Sequence, residues 1–336
     1  MREIGSEFWD IPVCEDSNDF WKDKIQWYTS GRSALCAVVD DLQKNSSLRS
    51  VAIPSWCCES MIMPFVRAGF NVRFYPVYWK NNCIQRSLIE ADIVFVMDYF
   101  GYSMDALDLA GFKGVVIRDV THSIFSYNHT DADYYFGSLR KWGGFWTGGY
   151  VWTKDGRKLQ VQEQDNQEYI NLRMKAMDMK LAYLNRLDES NSISDKSYLG
   201  VFDKAEEILN SIGMSVAADR DIQMAMRMDI STIKTKRRRN SQILRRAFSN
   251  QLIFSEMAID DCPLFVPIYV PDGKRDELRQ FLISKKIFCP VHWPLSKYHN
   301  IDELSKWIYN NELSLVCDQR YTEEDMYRMV DAINAF

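Results

Sequence analysis

At 336 residues, 46% of them hydrophobic and 26% charged, the chain can bury a full core and has the composition of a globular protein. Its net charge of -5 argues against a general partner for nucleic acid or anionic membranes, and no apolar run approaches the length of a membrane span. Residues 1–7 lack the apolar segment of a signal peptide, so the expected location is the cytoplasm. The eight cysteines are scattered without zinc-type spacing and there are four histidines, so no metal site is expected and the thiols read as reduced, small apolar residues. Cys57-Cys58 is the only close pair, with reactivity as the lesser reading.

In chain order, a Trp- and Phe-rich N-terminal segment (Phe8-Trp9, Phe20-Trp21, Trp27-Tyr28) is expected to pack on the main body or on a partner subunit. Ser30-Gly31-Arg32-Ser33 then opens a helix, with small residues at its start and an apolar helical pattern after it. Residues 51–54 read as a strand ending at a proline, 55–68 as a helix closed by Gly69, and 71–77 as the next strand. Residues 93–98 and 114–119 are continuous apolar runs, the pattern of strands buried on both faces of a parallel sheet. Two further strands are predicted over 134–138 and 148–153.

From about residue 160 to 255 the pattern is helical and polar. The basic run at 234–239 reads as the solvated face of a long helix in preference to a nucleic-acid contact. A strand over 264–270, a helix over 274–285, a strand over 287–291 and a terminal helix over 322–335 complete the chain. The expected fold class is α/β: a large domain over residues 1–235, with a mostly parallel sheet between helices, and a smaller C-terminal α/β domain over 236–336.

Ligands of such sheets bind at the carboxyl ends of strands, where Asp98, Asp119 and Ser138 fall. Lys141 follows an apolar strand, three residues behind Ser138 and just ahead of Gly143-Gly144. A lysine so placed can form a Schiff base with an aldehyde, and Asp119 can pair with a pyridinium nitrogen. These are the two groups pyridoxal phosphate needs most. Gly31, Arg32 and Ser33 at the helix start are candidates for its phosphate, with Ser138 adding a hydroxyl. His122 could bond the phenolic oxygen, and Trp56 could stack on the ring or belong to the core.

The series Gly31-Arg32-Ser33-Ala34-Leu35, Ile53-Pro54-Ser55, Asp98-Tyr99-Phe100-Gly101, Asp119-Val120-Thr121-His122-Ser123, Ser138 to Lys141 and Gly148-Gly149 resembles the DegT/StrS-type aminotransferases, fold-type I pyridoxal phosphate enzymes. The resemblance covers most of residues 25–155 and resumes more loosely at 289–294 and 313–321. It implies a homodimer with active sites at the subunit interface, and transfer of an amino group from glutamate to a nucleotide-linked keto sugar. The chain departs from the family pattern at several positions. Arg32 stands where the family has Thr, Arg118 where it has an acid, Phe136 where it has Ser, and Cys57 or Cys58 where it has the covering aromatic.

The function expected on these grounds is a pyridoxal phosphate-dependent transaminase of small molecules, in polysaccharide or secondary metabolite synthesis. The alternatives are lyase or decarboxylase chemistry on the same fold, or a catalytically inactive homologue that binds the cofactor or a sugar nucleotide.

Overall fold

The computed structural model describes residues 2–21, 25–45, 47–80, 83–104, 107–126, 129, 131–161, 166–189 and 195–336. In chain order its first half comprises β1 (Ile4–Gly5), β2 (Gln26–Tyr28), α1 (Gly31–Gln43), β3 (Ser50–Pro54), α2 (Glu59–Arg67), β4 (Asn71–Tyr75), β5 (Val77–Lys80), β6 (Cys83–Arg86), β7 (Ile93–Met97), β8 (Val115–Asp119), β9 (Tyr134–Ser138) and β10 (Gly149–Thr153). There follow α3 (Gln167–Glu189), α4 (Tyr198–Leu209), α5 (Asp219–Met226), α6 (Ile230–Ala247), β11 (Phe265–Tyr269), α7 (Arg275–Ser284), β12 (Ile287–Phe288), α8 (Glu303–Asn311), β13 (Glu312–Val316) and α9 (Glu323–Asn334).

Seven strands form one sheet in the order β2-β10-β9-β8-β7-β3-β4. β4, β3, β7 and β8 run parallel, and β2 lies antiparallel on β10. The α/β class is therefore as expected, and its cause is visible in β7. All five of its residues are buried, so Ile-Val-Phe-Val-Met needs no polar alternation.

The chain divides into two compact units. The first comprises Met1–Glu3, Glu7–Asp41 and Phe136–Asp229; the second comprises Ile4–Ser6, Leu42–Tyr135 and Ile230–Phe336. In the first, α3 and α4 pack through Ala176, Met177, Tyr183, Tyr198 and Phe202. In the second, a core of Leu244, Val266, Ile268, Leu282, Leu315 and Met326 joins α6, α7 and α9 to the antiparallel pair β11–β13.

Local chemistry moves some boundaries. The helix expected from Ser55 starts only at Glu59, because Cys58 is extended and the preceding residues have other partners. The Ser55 hydroxyl accepts from Val77 N–H at 2.8 Å and bonds Ser305 at 2.9 Å, while Tyr309 donates to the Ser55 carbonyl at 2.7 Å. The strand expected over 287–291 is only two residues long as β12. The hairpin β5–β6, α5, α8 and β13 were not foreseen.

The basic run lies on α6, as expected, but it is not a uniformly solvated face. Arg237 is fully buried; its guanidinium donates to Gln319 Oε1 at 2.8 Å and to the Leu264 carbonyl at 2.9 Å. Arg238 donates to the carbonyl oxygens of Ala258 and Asp261, and Arg239 pairs with Glu323. Three of the run's charges thus serve to hold α6 in the second unit, which leaves little for a phosphate backbone. Replacement of Arg237 by Met would keep the volume yet strand its buried acceptors, and is expected to lower unfolding stability by about 3 kcal/mol in denaturant titration. A change below about 1 kcal/mol would show that Arg237 is dispensable.

Candidate active site

In the first unit, Lys141 ends a single 3-10 turn, Leu139–Lys141, directly after β9. Leu139 N–H donates to Gly148 O at 2.8 Å and Trp142 N–H to Leu139 O at 2.8 Å. Leu139 and Trp142 are fully buried, whereas Lys141 is exposed. Two apolar anchors therefore hold the turn and leave the amine outside the core. Ser138, immediately before the turn, lies against the start of α1: a Cβ on Gly31 would stand 3.2 Å from Ser138 Cβ. Ser30 caps that helix, its hydroxyl accepting Ser33 N–H at 3.1 Å and meeting Ser33 Oγ at the same distance. Ser33 is buried there, and Arg32 reaches the side chain of Asn210.

The N-terminal segment covers the lysine loop. Gly144 N–H donates to Asp10 O at 3.0 Å, and a Cβ on Gly144 would come within 2.6 Å of Asp10 N. Gly144 is thus required by close approach of the Trp9-Asp10 backbone, and Gly143 by the Ile11 side chain, 2.6 Å from where a Cβ would stand. This segment also delivers Glu7. Its side chain keeps 44% exposure, yet Arg173 donates to it from both terminal nitrogens at 3.3 Å, and Lys180 donates to its backbone carbonyl. Desolvation raises the Glu7 carboxyl, but Arg173, Arg140, Lys141 and Lys180 outweigh it and hold the pKa at about 2. Glu7 is a carboxylate at any ordinary pH. It escaped the sequence reading because its distance along the chain from Lys141 carries no signal.

In the second unit, β8 ends at Asp119, which is 2% exposed and accepts Thr121 N–H at 2.8 Å. Arg118, where the resembled family has an acid, points away into a separate network. It donates to Asp98 at 2.7 Å, and Asp98 also accepts from Ser123 at 2.7 Å. Alternation along the strand therefore separates the two neighbours. His122 is buried; its Nδ1 accepts Phe100 N–H at 3.3 Å, which leaves the ring proton of the neutral form on Nε2. Trp293 stacks on His122 with ring centres 5.8 Å apart. Phe100 stacks on Trp293 in turn at 6.1 Å. Phe100 holds a left-handed backbone (φ 54°), the uncommon conformation that functional turns concentrate.

Trp56 is fully buried and stacked on Tyr99 at 4.7 Å, with its indole N–H donating to His292 O at 2.7 Å. It stands behind this aromatic wall as a core ring. Trp293 and Phe100 are the wall residues that the sequence reading did not single out, although both lie inside segments that carried the resemblance. Burial drives the Cys57 thiol well above its usual range, reinforced by Cys58 and Asp119, so Cys57 is a poor nucleophile. Among the described residues no group of His, Cys, Asp or Glu is arranged to hold a metal ion, and no helix is long and apolar enough to cross a membrane.

The fold is one shared with solved aminotransferase structures. An aminotransferase of the DegT/DnrJ/EryC1/StrS class from Brucella abortus matches at TM-score 0.62 and 14% identity, over 93% of this chain and 85% of that one. Helicobacter pylori PseC, an aminotransferase involved in the biosynthesis of pseudoaminic acid, matches at TM-score 0.63 and 12% identity, over 98% and 99% of the two chains. Spr1654 from Streptococcus pneumoniae, assigned as a sugar aminotransferase and solved in its PLP form, matches at TM-score 0.61 and 11% identity, over 93% and 86%. No protein-family model and no curated protein matches the sequence. Identities this low establish the shared fold.

Proposed function

We propose that this chain is a pyridoxal 5'-phosphate-dependent aminotransferase that moves an amino group from glutamate to a nucleotide-linked keto sugar, in polysaccharide or secondary metabolite synthesis. The observation that carries the reading is Lys141, an exposed primary amine on a turn locked by two buried neighbours, in a fold shared with aminotransferases. Spr1654, which shares that fold, is assigned as a sugar aminotransferase, and this is the ground for the substrate class. In this reading residues 1–235 form the cofactor-binding domain and 236–336 the small domain, and the working form is a cytoplasmic homodimer.

The residues present fit the cofactor. Gly31 could not carry a side chain without crowding Ser138, so the α1 start can offer backbone N–H groups beside a hydroxyl, a suitable cradle for a phosphate. Gly31, Arg32, Ser33 and Ser138 would hold that phosphate. Asp119, buried and already held by Thr121 N–H, would keep the ring nitrogen protonated. His122 would offer its Nε2 proton to the phenolic oxygen, with Trp56 supporting the wall from behind.

When bound, the cofactor supplies an aldehyde for covalent attachment and a ring that accepts electrons. Lys141 would anchor it, and once released the amine would take and return the proton at the substrate carbon. Glu7 would hold the positive charge of the neighbouring cations in balance while Lys141 changes protonation.

Borohydride reduction of protein reconstituted with pyridoxal phosphate, followed by peptide mapping, is expected to mark Lys141 alone. Incubation with glutamate should convert the cofactor to its amino form and release 2-oxoglutarate. An adduct on another lysine overturns the anchor. An adduct at Lys141 with no conversion by any amino donor leaves the lyase or the inactive binder in place of the transaminase.

A further inference from the structure

Glu312 opens β13 wholly buried, and its environment is unlike that of an ordinary structural carboxylate. Among the described residues its carboxyl meets two donors, His292 N–H at 2.8 Å and the Ser314 hydroxyl. Ser314 Oγ lies in turn 2.8 Å from His292 Nδ1. Ser314 is fully buried and His292 is 5% exposed. The nearest cation, Arg275 on α7, spends its guanidinium elsewhere, on the carbonyls of Tyr309 and Glu312 and on Asp276. Among the described residues, the other titratable groups facing Glu312 are His292 and Cys289 from the 287–293 segment and its cross-strand neighbour Tyr269 on β11. Burial pushes the carboxyl up to about 8, against weaker opposition from its hydrogen bonds and Arg275.

The His292 ring meets Phe100 edge-on at 5.2 Å, Trp293 at 5.2 Å and His122 at 6.1 Å. Its backbone is pinned from both sides, N–H to Glu312 and carbonyl to Trp56 Nε1. The backbone is therefore held with the ring nitrogen Nδ1 in hydrogen-bond reach of the Ser314 hydroxyl.

We propose that Glu312 is a positioning residue which, acting through the Ser314 hydroxyl, decides which nitrogen of His292 carries the ring proton. A hydroxyl has one proton, so the three groups can be wired in two ways. With the carboxyl protonated, Glu312 donates to Ser314 Oγ, Ser314 donates to His292 Nδ1, and the ring proton sits on Nε2. With the carboxyl ionised, Ser314 donates to Glu312, His292 Nδ1–H donates to Ser314, and Nε2 carries no proton.

Passing from the first arrangement to the second shifts one proton from Glu312 to Ser314 and one from Ser314 to Nδ1, and gives up one from Nε2 to solvent base, a net loss of one proton. The buried carboxyl is thereby ionised without exposure to water. His292 Nε2 becomes the point at which the acidity of Glu312 is expressed, on a ring packed against His122. Its bearing on amino transfer rests on the cofactor role proposed for His122; the relay itself does not.

The test uses the chain without added cofactor, its four histidines labelled with 15N and each assigned by single His→Gln substitution. Ring nitrogen shifts followed from about pH 6 to about pH 10 report the tautomer directly. The expected result is a change of the neutral His292 ring from the Nε2–H to the Nδ1–H form as pH rises. Glu312→Gln should abolish the change and hold Nε2–H throughout, because the amide donates to Ser314 at every pH. Ser314→Ala should uncouple the pair, and Ser314→Thr, which restores the hydroxyl, should restore it. A wild-type His292 whose tautomer ignores pH, or a Glu312→Gln chain that still switches, overturns the relay. Either result leaves the borohydride test of Lys141 untouched, so the two readings fail separately.

Discussion

Lys141→Ala is expected to lower amino transfer by about three orders of magnitude or more while leaving unfolding stability nearly unchanged. The amine makes no packing contribution, since it is exposed and the turn is held by Leu139 and Trp142. Under the proposed function, what would disappear is the covalent anchor and the group that moves the proton, together about 4 kcal/mol or more of barrier. One electrostatic side effect is expected, because Lys141 is among the four cations that lower Glu7. Lys141→Arg separates the two effects: it keeps the cation beside Glu7 but cannot serve as an amine nucleophile. Steady-state rates with glutamate should therefore collapse in both variants. Retention of about a tenth of the wild-type rate by either would remove Lys141 from the chemistry.

Glu312→Gln should stabilise the chain in alkaline solution, by on the order of 4 kcal/mol at about pH 9, and have little effect near pH 4. Glu312 ordinarily titrates at 4.5, and burial pushes it up to about 8 in the folded chain. Between these values the folded state keeps a proton that the unfolded state has lost. Stability is full below the unfolded pKa and declines as pH rises to the folded one. The amide has no such titration and preserves the bonds to His292 and Ser314. Glu7, whose pKa is depressed, acts in the opposite sense: its contribution is present above its usual pKa and lost as pH falls toward 2. Both proteins carry Glu7, so it cancels in the difference. Denaturant midpoints measured across pH should converge in acid and diverge in base; parallel curves would show that Glu312 is ionised or solvated in the folded chain.

Much of the fold was legible because doubly buried strands are written as unbroken apolar runs, and β7 and β8 could scarcely be read otherwise. The candidate residues were legible for a related reason: a polar residue that ends such a run, as Asp119 and Ser138 do, stands at a strand's carboxyl end. Side-chain surroundings were far less so. Trp56 read equally well as a cofactor platform or as core, and its stack on Tyr99 depends on a residue more than forty positions away. Arg237 sits in a run that reads as solvated, yet three carbonyl or amide acceptors from distant loops enclose it. Glu312 carried no signal, because one acid among apolar residues is as easily exposed as buried.

From the sequence alone came the chemical inventory and its order: the buried strands, the lysine after a serine, the aspartate at a strand end, the helix opened by glycine. These follow from periodicity and residue type, which are local. Which side chains meet was settled only in three dimensions. The N-terminal segment brings Glu7 among the cations of the lysine loop, Trp293 comes onto His122, and Ser314 stands between Glu312 and His292. Those pairings depend on burial and on which segments the fold brings together, where desolvation and a single shared proton count for more than residue type alone can encode.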